Sequence, residues 1–148
     1  MPNRSVANSC AARSRSCGPE LRGGLAPGLL ANDVELDDAR LLAGEMQSVG
    51  AHEDIVFKPR WGAFYNTPVN AYLRSIHADT IVFCGCNFPN CPRTSIYEAS
   101  ERDYRAVLAI DATSGLYDRG QEEMANIGVE LATVAEITAV AERPARDR

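Results

Sequence analysis

Short apolar runs that alternate with helix-like segments constrain the fold of this sequence more than any other feature. Thr80–Cys84 (TIVFC) is apolar on both faces, as is typical of a central strand in a parallel sheet. We predict further strands over Asp54–Lys58, Arg105–Ile110 and Gly128–Ala132. Because a helix lies between successive strands, right-handed crossovers are expected. The pattern therefore predicts an α/β fold of three α/β/α layers around a mostly parallel, Rossmann-like sheet.

The helix-like segments carry their own sequence signals. Pro68–Ile76 has apolar side chains at three- and four-residue spacing, which predicts a helix with one buried face. Thr67 is its expected N-cap and Pro68 its expected first residue. The remaining predicted helices are Asp37–Gly44, Cys91–Arg102 with Pro92 at its first position, Gln121–Ile127 and Thr133–Glu142.

Composition and charge limit the functional classes. The formal net charge is −5, which argues against nucleic acid as the main partner, since phosphate binding needs a basic surface. The longest apolar runs are far shorter than the roughly 20 residues of a membrane span, so no membrane partner is expected. Residues 1–23 are rich in Ser, Arg, Asn and Gly and are predicted to be a disordered or atypical N-terminal segment. A transit peptide and a wrongly assigned start are alternatives for this segment.

The cysteines point to a cytoplasmic protein with reduced thiols. Their number is odd, and no apolar run could serve as a secretory signal. Three of them, Cys84, Cys86 and Cys91, lie close in sequence, but their spacing matches no standard zinc pattern. We therefore expect no metal and no cofactor. A redox or metal role for the cluster is the least favoured alternative.

Two residues mark a candidate active site. Lys58 ends one predicted strand and Cys91 begins the helix that follows another, and active residues of open α/β sheets gather at such positions. A helix N-terminus and a nearby ammonium both lower the pKa of a thiol, and the N–H groups there can bind an oxyanion. Cys91 is thus a candidate nucleophile, with a buried structural cysteine as the equal alternative. Cys84 and Cys86 favour structural roles.

Three segments then carry a resemblance to a known family. Lys58–Thr67 (KPRWGAFYNT) has a strand-ending lysine followed by an Arg, a Phe and a Thr. Gly85–Thr94 (GCNFPNCPRT) has a Gly, a six-residue step, a Cys and a Thr that opens a helix, and Tyr104–Ala112 (YRAVLAIDA) is a strand with a terminal Asp-Ala. In order and spacing they resemble the isochorismatase-like cysteine hydrolase superfamily, which includes nicotinamidases and N-carbamoyl amidohydrolases. The resemblance implies a partial hydrolase domain over residues 24–142, followed by a polar tail over residues 143–148.

The resemblance also implies a mechanism. Cys91 attacks a carbonyl or carbamoyl carbon and forms a thioester that water hydrolyses, while Lys58 supports the thiolate. The backbone N–H groups of Asn87 and Cys91 form the oxyanion hole, beside a cis peptide bond between Cys86 and Asn87. The side chains implied to line the substrate pocket are Trp61, Phe64 and Tyr65. Ordinary packing is the alternative for these aromatic side chains.

The sequence departs from the family in its general base, an Asp at the end of the first strand. Asp33 and Asp37 lack a preceding strand, and Asp111 matches a later Asp of the family for which capping or loop bonding is expected. The first strand, and the second with it, are expected to be missing, so the chain reads as N-terminally truncated. Phe88-Pro89-Asn90 replaces smaller polar residues before Cys91, which indicates a subgroup with a different pocket.

Two functional hypotheses follow from this sequence. The first is an active hydrolase that cleaves C–N bonds of a small amide or carbamoyl substrate, with a base supplied from elsewhere, such as a partner subunit. The alternative is a catalytically impaired, truncated family member with a structural or oligomerisation role. The resemblance implies a homo-oligomer, either a dimer or a tetramer.

Overall fold

The computed structural model describes the backbone of Ser5–Val6 and residues 36–142. These residues form two units, the first ending at His77 and the second beginning at Ala78. The rest of the N-terminal segment predicted over residues 1–23 lies outside the described residues, as does the predicted tail over residues 143–148. No described helix is long and apolar enough to cross a membrane.

The first unit contains a small mixed sheet and two helices. Its elements are β1 (Ser5–Val6), α1 (Asp38–Leu42), β2 (Met46–Gly50), β3 (Glu53–Val56) and α2 (Val69–Ser75). Strand β3 lies in the middle, parallel to β1 and antiparallel to β2. One core cluster of this unit contains Leu41, Val49 and Ile55, with Leu36 and Phe57 packed against it. Burying these side chains fixes which face of the β2–β3 pair points inward.

The second unit has the alternating order that the sequence predicts. Its elements are β4 (Thr80–Gly85), α3 (Cys91–Ser100), β5 (Arg105–Thr113), α4 (Asp118–Asn126), β6 (Glu130–Ala132) and α5 (Val134–Ala141). The three strands are parallel in the order β4-β5-β6. Helix α3 packs on β4 and β5, α4 on β6 and α5 on β5. The α/β class and the parallel sheet are thus confirmed, and Leu108 of the central strand β5 is completely buried.

The structure corrects the predicted position of Thr80–Cys84 in the sheet. Within the described residues, β4 pairs only with β5 and is an edge strand. Phe83 is buried, but Val82 and Cys84 on the other face are exposed. Within this part of the chain β4 is therefore not the central strand, buried on both faces, that the sequence predicts, because an apolar run reports the type of side chain and not the number of neighbouring strands.

Three smaller differences have local causes. Strand β2 was not predicted, because its sequence MQSVG contains no apolar run and is held by pairing with β3. The N-cap position of α2 is Pro68 rather than Thr67, but Thr67 Oγ1 accepts the N–H of Val69, the first helical residue, at 3.4 Å. Cys91, rather than Pro92, is the first residue of α3.

Candidate active site

The loop between β4 and α3, residues 85–90, delivers Cys91 to the start of a helix. Gly85 ends the strand with a φ of +107°, a conformation that favours glycine. Cys91 is the first residue of α3, and its thiol is buried and reduced. Its carbonyl oxygen accepts a hydrogen bond from Ser95 Oγ at 2.7 Å. The loop therefore presents the thiol at the N-terminal, partially positive end of a ten-residue helix.

The loop contains a backbone donor that the helix does not use. The peptide bond between Cys86 and Asn87, which the resemblance marks as cis, is cis in the structure. The carbonyl oxygen of Asn87 accepts the N–H of Asn90 at 3.0 Å. The N–H of Asn87 donates no hydrogen bond to any of the residues 36–142. An oxyanion beside Cys91 is the type of acceptor that such a donor can bind.

The residues that follow β5 form backbone hydrogen bonds with this loop. The N–H of Phe88 donates to the carbonyl of Ser114 at 2.8 Å, and the N–H of Ser114 donates to the carbonyl of Gly85 at 3.0 Å. Gly115 follows with a φ of +67°, and a Cβ there would overlap the side chain of Asn87. These contacts join residues far apart in sequence, so the local pattern did not reveal them. The one local signal was Gly85, which directly follows the predicted strand Thr80–Cys84.

A charged cluster lies on the first turn of α3. Arg93 Nη1 donates to the Tyr117 hydroxyl at 2.9 Å, and Arg93 Nη2 lies 2.7 Å from Glu123 Oε2. The guanidinium also lies 5.9 Å from the ring centre of Tyr97. Tyr97 and Glu123 raise the pKa of Arg93, so its charge is permanent at every accessible pH.

Lys58 belongs to the first unit, two residues beyond the end of β3. Its side chain is only 3% exposed, and Nζ donates to the carbonyl oxygens of Trp61 at 2.8 Å and Arg60 at 3.2 Å. Because an ammonium has three donors, one N–H has no acceptor among residues 36–142. No carboxylate of the described residues pairs with this charge. A buried cation of this kind favours an anion beside it.

The three predicted pocket residues follow Lys58 in the first unit and differ in burial. Phe64 is buried, whereas Trp61 and Tyr65 are about half exposed. The structure thus brings Lys58 together with the Trp61 backbone, and separately brings Cys86, Asn87 and Cys91 into one loop and helix start.

The acidic residues considered as the general base have structural partners. Asp37 accepts the N–H of Arg40 as the N-cap of α1, and Asp111 Oδ1 accepts the N–H of Val134 at the start of α5. Asp33 lies outside the described residues. Asp54, which no sequence pattern singled out, is a buried carboxylate that accepts the Tyr72 hydroxyl at 2.8 Å.

The other two cysteines of the cluster are those for which structural roles are predicted. Cys84 and Cys86 are both exposed. Within the described part of the chain, no group of three His, Cys, Asp or Glu side chains is arranged to hold a metal ion.

The sequence match to a known family covers both units. The model of the isochorismatase domain matches residues 39–142. The chain belongs to the isochorismatase family. This family member is similar to ureidoacrylate amidohydrolase RutB of Methylobacterium radiotolerans, with 33% identity over 89 residues. It is also similar to a protein of Arabidopsis thaliana named "probable inactive nicotinamidase", with 31% identity over 86 residues.

These relatives are longer than the matched region. The match to the amidohydrolase covers 58% of this chain and 34% of the relative, and the match to the Arabidopsis protein covers 55% and 44%. The chain therefore spans less than half the length of either curated relative.

Solved structures have the same fold. An isochorismatase family protein from Desulfovibrio vulgaris superposes with a TM-score of 0.58 at 26% identity, covering 65% of this chain and 53% of that one. N-carbamoylsarcosine amidase from Thermoplasma acidophilum superposes with a TM-score of 0.52 at 24% identity, covering 57% and 50%. The second likeness, at its lower identity, supports the fold alone.

Proposed function

We propose that this isochorismatase family member is a cysteine hydrolase that cleaves a C–N bond in a small amide or carbamoyl compound. The observation that carries the proposal is the position of Cys91 as the first residue of α3, directly after a loop in which the Asn87 N–H has no acceptor among residues 36–142. The similarity to an amidohydrolase named for ureidoacrylate supports the substrate class.

The reaction takes two steps at Cys91. The thiolate Sγ attacks the substrate carbon, the carbonyl π electrons move to oxygen, and the N–H groups of Asn87 and Cys91 bind that oxyanion. The C–N bond breaks as the oxyanion collapses, and the leaving nitrogen takes a proton and departs as amine or ammonia. Water then adds to the thioester, its hydroxyl stays on the acyl carbon, and the proton restores the thiol. Amide plus water thus gives acid plus amine.

Lys58 is proposed to stabilise the anionic states of this sulfur and of the intermediate. Its burial, its one unused N–H and the lack of a carboxylate partner among residues 36–142 support this role. The exposed rings of Trp61 and Tyr65 are proposed to contact substrate. Phe64 is proposed to support them from the core.

The mechanism needs a proton acceptor for the Cys91 thiol. Asp37 and Asp111 are engaged at helix N-termini, so we propose that the base comes from elsewhere, for instance from a partner subunit in a homo-oligomer. A catalytically impaired protein with a structural or oligomerisation role is the second candidate. The similarity to a relative named as inactive favours it. We also propose that the protein is cytoplasmic.

The test is the alkylation rate of each cysteine against pH, measured by peptide mass mapping. Cys84 and Cys86 are exposed and serve as internal references in the same chain. We expect Cys91 to titrate well below the ordinary thiol value of about 8.5 and the midpoint to rise in Lys58→Met. Arg40→Met, which removes an exposed cation from the same unit, is the matched control and should leave the midpoint unchanged.

Two results would decide between the candidates. A lowered midpoint, followed by release of amine from an amide or carbamoyl library that is lost in Cys91→Ser, supports the hydrolase. A Cys91 that titrates like Cys84 and Cys86, together with no turnover, rejects the hydrolase in favour of the structural role.

A further inference from the structure

Tyr117 contacts the chain on both sides of the proposed nucleophile. Its ring packs edge-on against Phe88, three residues before Cys91, with ring centres 5.6 Å apart and planes at 75°. Its hydroxyl accepts a hydrogen bond from Arg93 Nη1 at 2.9 Å, two residues after Cys91. One side chain therefore spans the loop and the first turn of α3.

The contact with Phe88 depends on an unusually close approach of α4. Tyr117 is the N-cap of that helix, and Gly120 lies in its first turn. A Cβ on Gly120 would lie 2.6 Å from Cε1 of Phe88 and 3.1 Å from Cε2 of Tyr117. The Phe88 ring is completely buried in this position. Because glycine has no Cβ, α4 can approach closely enough for the rings of Phe88 and Tyr117 to pack against each other.

The Arg93 side chain that contacts Tyr117 also has further neighbours in the same unit. The guanidinium is shared between the Tyr117 hydroxyl and Glu123, and it lies beside the ring of Tyr97. The N–H of Arg93 also donates to the carbonyl of Phe88 at 3.2 Å. Arg93 therefore binds neighbours within this unit, although it lies in the same first turn of α3 as Cys91.

We propose that Tyr117 is a positioning residue that holds Phe88 and Arg93 in place and thereby fixes Cys91 against the N–H groups at the start of α3. The inference rests on the proposed function, because it assigns a purpose to the position of Cys91. Tyr117 acts through the two flanking residues and has no contact with a reacting atom in this assignment.

The experiment compares Tyr117→Phe with Tyr117→Ala. Phenylalanine keeps the ring against Phe88 and loses the hydroxyl, whereas alanine loses both contacts. Ile127→Ala is the matched control, since Ile127 is 38% exposed in the same unit and Tyr117 is 39% exposed. We call the contacts of Tyr117 with Phe88 and Arg93 the clamp. Amide hydrogen exchange of the peptide over residues 88–94 reports whether the clamp holds this segment. The pH profile of Cys91 alkylation reports whether the clamp affects the reactivity of the thiol. The midpoint of the profile gives the pKa of the thiol, whereas the rate at the high-pH plateau reflects its exposure.

We expect Tyr117→Ala to speed exchange over residues 88–94 by about tenfold, the order expected for losing an aromatic pair and a hydrogen bond. The Cys91 midpoint should rise towards that of Cys84 and Cys86, and Tyr117→Phe should restore part of both effects. Unchanged exchange overturns the clamp. Faster exchange with an unchanged Cys91 midpoint overturns the positioning role. If Cys91 in the unmodified protein already titrates like the reference thiols, the proposed function fails, and so does the positioning role, while the exchange data still decide whether the clamp exists.

Discussion

The hydroxyl of Tyr72 donates a hydrogen bond to the buried carboxylate of Asp54 at 2.8 Å, joining α2 to β3 within the first unit. Asp54 lies four residues before Lys58 on the segment that carries the buried ammonium. The bond therefore holds α2 against β3, the strand that precedes Lys58. A carboxylate at such a buried position needs a donor, since an unpaired one is costly.

The first prediction concerns this bond. Tyr72→Phe removes the donor and keeps the ring, so Asp54 loses a hydrogen-bond partner. We expect a loss of about 1–3 kcal/mol in the free energy of unfolding, measured by urea denaturation. Tyr65→Phe removes a hydroxyl from an exposed ring in the same unit and should change stability by less than about 0.5 kcal/mol. Equal unfolding midpoints for the two variants would show that the bond contributes nothing.

Local sequence patterns predicted the secondary structure well where one segment carries its own signal. The helix over α1 and the alternation of strands and helices from β4 to α5 were visible in apolar spacing and in glycine and proline positions. Strand β5 was predicted to end at Ile110 but continues to Thr113, because Thr113 pairs with Gly85 of the neighbouring strand. Pairing of this kind depends on a partner that the local pattern does not contain.

The same distinction applies to the candidate site. Lys58 and Cys91 could be selected because each stands at the end of a strand or the start of a helix. Ser114 and Tyr117 could not be selected, since their importance comes from contacts with Phe88, which lies in a different loop. Residues that hold a loop from another element have no signature in the loop itself.

The second prediction reverses an ordinary rule for glycine. Gly→Ala inside a helix normally stabilises a protein by about 0.5–1 kcal/mol. At Gly120 the new Cβ meets the ring of the fully buried Phe88 at 2.6 Å, so we expect Gly120→Ala to destabilise instead, by about 1–3 kcal/mol. Asn126→Ala, at the exposed end of the same helix, is the control for helix propensity and should not destabilise. Thermal unfolding of the two variants gives the sign directly, and a more stable Gly120→Ala protein would contradict the packing.

The third prediction concerns pH and the start of α5. The backbone N–H and then the hydroxyl of Thr133 bind the Glu136 carboxylate and lower its pKa. Because the folded pKa lies below the unfolded value, the stabilisation is complete above about pH 4.3 and is lost as the pH falls through the folded pKa. Glu136→Gln should therefore melt below the unmodified protein at pH 7, and the gap should shrink by pH 2.

The control for this effect is Glu122→Gln, an exposed carboxylate in α4 outside any capping box. Melting temperatures of the three proteins across pH 2–7 provide the measurement. A gap between Glu136→Gln and the unmodified protein that is the same at both ends of the range would mean that the ionised carboxylate gives the helix no added stability.

The last prediction separates two arginines that share one carboxylate. Arg93 and Arg119 both pair with Glu123, at 2.7 Å and 3.2 Å, but their side chains are 30% and 83% exposed. A pair whose cation is largely exposed contributes little, so Arg119→Lys should change stability by less than about 0.5 kcal/mol. Arg93 uses two different nitrogens for Tyr117 and Glu123, and a lysine has a single ammonium that cannot reproduce this fork.

We therefore expect Arg93→Lys to cost about 1–2 kcal/mol although the charge is kept, because one of the two partners loses its donor. Urea denaturation of Arg93→Lys and Arg119→Lys gives the comparison under identical conditions. If both lysine variants are as stable as the unmodified protein, the guanidinium acts only as a charge. A selective loss at Arg93 instead means that its planar geometry, set between α3 and α4, is what holds the first turn after Cys91.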